Sequence, residues 1–293
     1  MKQALVKLHI GVFLAGFTAI LGRLIELNAV LLVWYRIFFT VVFLSLTFIF
    51  SKKSLRIPVK QMFNLGCIGF IIALHWVFFY ASIKYANVSV ALVCFASTSL
   101  FTALLEPLIV RSAFKRTDLL LGLLSLAGIY LIFHFDAQYR LGIFLGIISA
   151  ILSALFSVLT KKNVHHIASK QLMFFQLSGG LLLLTLLLPI WLYYFPEEKW
   201  IPSLTDLFWL LLLALLCTVL AMNLMLQALK KVSAFTQNLT LNLEPVYGIS
   251  MAFIVFNEGK NLPVSFYLGL CLIAVSVALQ MFRIVTLKKN KAN

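Results

Sequence analysis

Gln237, Thr240, Glu244 and Tyr247 recur at spacings of three and four residues inside an otherwise apolar stretch, with Asn238 and Asn242 beside them. On a helix these residues share one face and its flank. A face so polar cannot lie against lipid, and it needs partners or a ligand on neighbouring helices. Pro245 follows Glu244, removing a backbone donor and bending the helix there. Carbonyls freed by such a bend can meet a ligand or an ion. Two readings of Glu244 stand: a group that binds substrate or couples transport to protons, and a structural carboxyl hydrogen-bonded to another helix.

Other candidates sit in separate apolar runs. His75 comes with Trp76 and Tyr80; imidazole changes charge near neutrality, and the two rings offer a stacking wall. The alternative for His75 is a hydrogen bond between helices. Arg36 follows Trp34-Tyr35 and reads either as counter-charge to an anionic substrate group or as a snorkelling interfacial cation. Cys94, Thr98, Thr102 and Glu106 repeat every four residues, with Ser97 and Ser99 beside them. This stripe is expected to line the same path from another helix, with Glu106 near the helix end paired to Arg111 or Arg116. Thr218, Asn223 and Gln227 are open to the same two kinds of reading, pathway or structural. Gly142, Gly146, Ala150 and Ala154, flanked by Ser149, Ser153 and Ser157, read as a close-packing face.

Soluble-enzyme signatures are missing. No GxxxxGK[ST] or GxGxxG run is present, which disfavours ATP-driven pumping. His165-His166 lacks the HExxH spacing, and no Cys/His set suits zinc. Cys67, Cys94, Cys217 and Cys271 form no CxxC pair and are expected to be small buried hydrophobes. No metal and no cofactor is expected.

The elements that must hold these residues follow from composition. Of 293 residues, 62% are hydrophobic and 11% charged, and the mean hydropathy is +1.04, against about 45–50% and 25% in soluble domains. The excess must face lipid. Runs of about 20 apolar residues give ten spans, at 4–22, 30–50, 62–82, 86–110, 117–135, 141–160, 171–194, 206–228, 233–256 and 263–284. Polar–apolar alternation is missing, which disfavours a β-barrel. The first span has no cleavage signature and reads as a retained helix.

With the N-terminus inside, 18 of the 24 Lys and Arg fall on inner segments, five on outer ones, and Arg36 within a span. By the positive-inside rule both termini are cytoplasmic. The net charge of +15 is this asymmetry, not a nucleic-acid patch.

The chain also reads as duplicated. A shift of 147 places Ala81 on Ala228, Lys84 on Lys231, Gly122 on Gly269 and Ala127 on Ala274. Shifts of 138 and 140 place Arg23 on Lys161 and Arg36 on Gln176. Halves of 1–138 and 139–293 hold five spans each, an odd number, so the second enters the membrane with inverted orientation. Inverted repeats are a recurring plan of secondary transporters.

Ten short-looped spans, Arg23 and Lys161 at span ends, Trp34-Tyr35-Arg36, and Leu243-Glu244-Pro245-Val246 followed by Asn257-Glu258-Gly259 resemble the EamA-type drug/metabolite transporter superfamily. The likeness covers essentially the whole chain. The first half departs from the pattern: Ser97-Thr98 or Thr98-Ser99 stands where the second has Glu244-Pro245, and its own Glu106-Pro107 lies about two turns later. The resemblance implies an inner-membrane carrier of small organic metabolites, often an exporter, with a central cavity between the halves. The expected fold is therefore an all-α integral membrane protein of ten transmembrane helices in two inverted five-helix repeats. Its expected partners are a small-molecule metabolite, the bilayer and protons, as a monomer or homodimer. The competing expectation is an integral-membrane enzyme acting on a lipid-linked substrate.

Overall fold

Helices restart wherever a short polar side chain can hold the first free amides of an apolar run. Asn28 Oδ1 accepts from Leu31 N at 2.8 Å and Asn87 Oδ1 from Val90 N at 2.8 Å. Ser233 Oγ accepts from Thr236 N at 3.0 Å. Ser203 and Asp206 form a reciprocal capping box. The computed structural model describes residues 2–51, 55–132, 140–196, 199–248, 251 and 264–289.

The helices are α1 (Lys2–Leu24), α2 (Ala29–Ser51), α3 (Val59–Tyr85), α4 (Val88–Ala96), α5 (Thr98–Val110) and α6 (Arg116–Ile132). They are followed by α7 (Arg140–Asn163), α8 (Ser169–Tyr194), α9 (Leu204–Ala214), α10 (Ala221–Leu229), α11 (Ala234–Leu241) and α12 (Val264–Lys289). A π-helical turn, Leu215–Leu220, joins α9 to α10, and residues 244–248 are helical again after α11.

Each of the ten expected spans falls on helix over most of its described residues, and among the described residues seven helical runs are long and apolar enough to cross a membrane. The chain is an all-helical multi-pass membrane protein. Its outer faces carry exposed Leu, Ile and Phe side chains, as a lipid-facing surface requires. Cys67 and Cys271 lie on that surface, and only Cys94 and Cys217 are buried. The expectation of four buried thiols is thus corrected; a small apolar side chain gains as much from lipid as from a core. The expected half boundary after residue 138 and the Asn257-Glu258-Gly259 run lie outside the described residues.

Helix pairing repeats between the halves. α3 packs on α8 as α2 packs on α9, α3 packs on α7 as α10 packs on α1, and α6 packs on α12. The α3–α8 crossing is so close that a Cβ at Gly69 would lie 1.6 Å from the Gln176 carbonyl oxygen. The small face of α7 meets α3 and α4: Ser82 Oγ donates to Gly142 O at 2.7 Å, and a Cβ at Gly146 would lie 2.6 Å from Cys94 Cβ.

Spans four and nine are both interrupted, at Ser97 and at Asn242-Leu243. The causes differ. Pro245 cannot donate to Leu241 O and its ring crowds that carbonyl, so the chain tightens, with Asn242 N on Leu239 O at 3.1 Å and Leu243 N on Thr240 O at 3.0 Å. In span four the hydroxyls of Ser97, Thr98 and Ser99 each donate to the carbonyl three residues back, on Cys94, Phe95 and Ala96. Three such bonds in a row compete with the helical ladder. Interrupted helices at corresponding places in two repeats frame the binding region of many carriers.

Candidate functional site

A cavity of about 100 Å³ lies between the halves, lined by Arg36, His75, Trp76, Cys217, Gln237 and Glu244 together with apolar side chains such as Phe79, Phe95 and Phe156. The space suffices for several waters or a small ligand group.

Arg36 is 2% exposed, which removes the snorkelling reading. Its guanidinium carbon lies 3.9 Å above the Trp76 ring, a cation–π contact strengthened by desolvation. Nε donates to Thr218 Oγ1 at 2.8 Å and Nη1 to the Tyr80 hydroxyl at 2.9 Å. The π-helical turn supplies Thr218: its Oγ1 donates to Leu213 O, five residues back, at 3.0 Å, while accepting from Arg36. Single π turns of this kind often mark functional positions. Gly22 makes room for Tyr80, since a Cβ there would lie 2.2 Å from Tyr80 Cε1. No periodicity in the sequence singles out Gly22 or Thr218.

The hydrogen-bond and ring partners of Arg36, Thr218, Tyr80 and Trp76, are neutral, and among the described residues no carboxylate oxygen forms an ion pair with it within 4.0 Å. A guanidinium offers five N–H donors, so it retains donors for an anion. Across the cavity, Glu244 is 4% exposed, and Gln237 Oε1 is buried without a hydrogen-bond partner. A buried unpaired acceptor costs about 1–3 kcal/mol unless a ligand or water fills the place.

His75 is held between helices and also lines the cavity. Nδ1 lies 2.9 Å from Ser149 O and 2.8 Å from Ser149 Oγ, and Ser149 Oγ also reaches His75 O at 3.1 Å. A carbonyl can only accept, so Nδ1 carries a proton directed at Ser149 O. The ring stacks on Phe95 with centroids 5.4 Å apart.

Arg36, His75, Trp76, Gln237 and Glu244 therefore meet in one cavity, with Tyr80 bonded to Arg36 at its edge. The remaining candidates lie elsewhere. Thr98 Oγ1 donates to Phe95 O and Thr102 Oγ1 to Thr98 O. Asn238 Nδ2 donates to Thr102 Oγ1 at 2.7 Å, and Asn242 Nδ2 to Ser99 Oγ at 3.0 Å. These groups join α5 to α11. Thr240 Oγ1 bonds to Thr236 O, and Tyr247 packs edge-on against Phe13 of α1.

Glu106 pairs with neither Arg111 nor Arg116 among the interactions of the described residues. Its Oε1 accepts from Ala234 N at 3.1 Å and its Oε2 from Phe235 N at 2.8 Å, covering the free amides that open α11. Periodicity assigned Glu106 to a face but could not reveal a backbone partner 128 residues away. Gln227 Oε1 accepts from Lys7 Nζ at 2.6 Å, joining α10 to α1.

Comparison with known proteins agrees with this architecture. A solved structure described only as "Crystal structure of protein" superposes with a TM-score of 0.77 at 15% sequence identity, covering 98% of this chain and 99% of the other; at that identity the likeness concerns the fold. A search of curated proteins returned no match. The family model described as "EamA-like transporter family" matches residues 3–134 and again 140–282. Two matches to one family model, together spanning nearly the whole chain, make it a member of the EamA-like transporter family, whose proteins are membrane transporters and not enzymes.

Proposed function

We propose that this chain is a secondary carrier that moves a small organic metabolite bearing an anionic group by alternating access. The observation that carries the reading is Arg36: a buried guanidinium with neutral partners, facing a cavity whose other walls offer Gln237 Oε1 and Glu244. Glu244 shares the cavity with Arg36 but makes no ion-pair contact with it, and a carboxylate or similar planar anion supplies the direct contact that a buried guanidinium requires. The apolar rings around it accommodate the rest of an amphipathic molecule. Amino acids, nucleotide-sugar-like compounds and toxic metabolites are the classes to be compared.

The second element is Glu244, proposed as the proton-coupling group because it shares the cavity with Arg36 and follows an interrupted helix. The odd number of spans per half supports inverted orientation. The charge asymmetry supports cytoplasmic termini in the cell's inner membrane, with export as the working direction. A lipid-linked enzyme is no longer a competitor, given the family. The test is a thermal-stabilisation screen of purified protein against carboxylates, amines and neutral solutes, repeated with Arg36→Gln. Stabilisation by one anionic class, lost in the variant, supports the reading; a ligand that binds equally well to both proteins refutes it.

A further inference from the structure

The two ends of the bundle are tied across the halves by different chemistry. At one end Lys199 Nζ, after α8, lies 2.5 Å from Glu26 Oε2, after α1, and 3.1 Å from Asp206 Oδ2, in α9. Glu26 N also donates to Asp206 Oδ1 at 2.9 Å. At the other end Glu106, of the first half, holds the amides of Ala234 and Phe235, of the second. Glu26 ends the first span and Glu106 the fourth, which places them at opposite ends of the bundle. Lys161 Nζ donates to Leu229 O and Val232 O, each at 2.6 Å. The turn before α11 is thereby fixed to α7, so the contact at Glu106 cannot part unless α11 and its turn move together.

We infer that these contacts are two latches, one at each end of the cavity, that part alternately, with Lys199 and Glu106 as their positioning residues. The inference rests on the alternating-access reading. The latches differ in strength for physical reasons. Lys199 and Glu26 are 39% and 76% exposed, so water and salt compete with them. Glu106 is 9% exposed, and it meets the positive end of a helix through two backbone amides. Of the two, the exposed latch yields first.

Cys217 is a native reporter, since it lines the cavity and is 5% exposed. In full-length protein with Cys67, Cys94 and Cys271 changed to Ala, a charged membrane-impermeant methanethiosulfonate reagent is applied to right-side-out and to inside-out vesicles. Lys199→Met is expected to raise the Cys217 labelling rate about two- to fivefold from the outer face alone. Glu106→Gln is expected to raise it on the order of tenfold from the inner face alone. Raising ionic strength from about 0.1 to 1 M, which shortens screening from about 10 to 3 Å, should mimic Lys199→Met without any latch substitution. Unchanged labelling, or labelling raised equally from both faces, overturns the latches. A mirror-image result keeps the latches and overturns the assigned orientation instead.

Discussion

Arg36 stacks on Trp76 at 3.9 Å, and the two residues come from different helices, α2 and α3. The ring fixes the guanidinium plane while Thr218 and Tyr80 take two of its donors. A lysine cannot reproduce that planar fork. The contact orients a cation toward a cavity instead of toward water.

Glu244→Gln removes the proposed proton-coupling group with almost no change in shape. Ligand-induced stabilisation is expected to persist, while flux in proteoliposomes stops responding to an imposed proton gradient. Unchanged pH dependence and rate would remove Glu244 from the mechanism.

Pro245→Ala restores a donor for Leu241 O and should let α11 continue through Asn242-Leu243. Stability should rise by about 1 kcal/mol, with turnover several-fold lower because the bend is lost. Thermal unfolding and initial rates measure the two effects; faster turnover would show that the interruption does not serve transport.

Gly66 and Gly69 make a controlled pair at the α3–α8 crossing. A Cβ at Gly69 meets Gln176 O at 1.6 Å, whereas one at Gly66 meets Gly179 Cα at an ordinary 3.4 Å. Gly69→Ala is expected to destabilise by about 3 kcal/mol, and Gly66→Ala to be neutral or slightly stabilising. Melting curves in detergent that fail to separate the two variants would contradict the crossing geometry.

Hydrogen bonds to the Glu26 and Asp206 carboxyls, outweighing a small burial effect, hold the Lys199 pKa above its ordinary 10.5. A raised folded-state value means that the contribution is complete below pH 10.5 and is lost as pH rises through the raised value. The melting difference between the parent and Lys199→Met should therefore persist from neutral pH to about pH 10 and vanish in stronger alkali. A difference that vanishes already near neutrality would contradict the pairing.

The ten spans were legible because apolar run length and charge asymmetry are local quantities. Part of the site was legible for the same reason: Arg36, His75, Gln237 and Glu244 are costly inside a membrane wherever they point. Thr98, Thr102 and Asn242 carried the same signal, yet Thr102 meets Asn238, Asn242 meets Ser99, and Thr98 turns back to Phe95 O. Periodicity identifies a polar face but not the helix opposite it. Thr218 needed the π turn and Tyr80 needed the gap at Gly22, both products of packing. The Ser97 interruption had a visible cause in Ser97-Thr98-Ser99, although only proline would usually be read as a break.

The proposed route takes an anionic metabolite through the Arg36 cavity. The most direct measurement is uptake of the ligand found by the stabilisation screen into proteoliposomes containing the parent protein or Arg36→Gln. Saturable uptake, reduced on the order of tenfold to a hundredfold by the substitution, is the predicted result. Uptake that rises linearly with concentration, or that Arg36→Gln leaves unchanged, would contradict it.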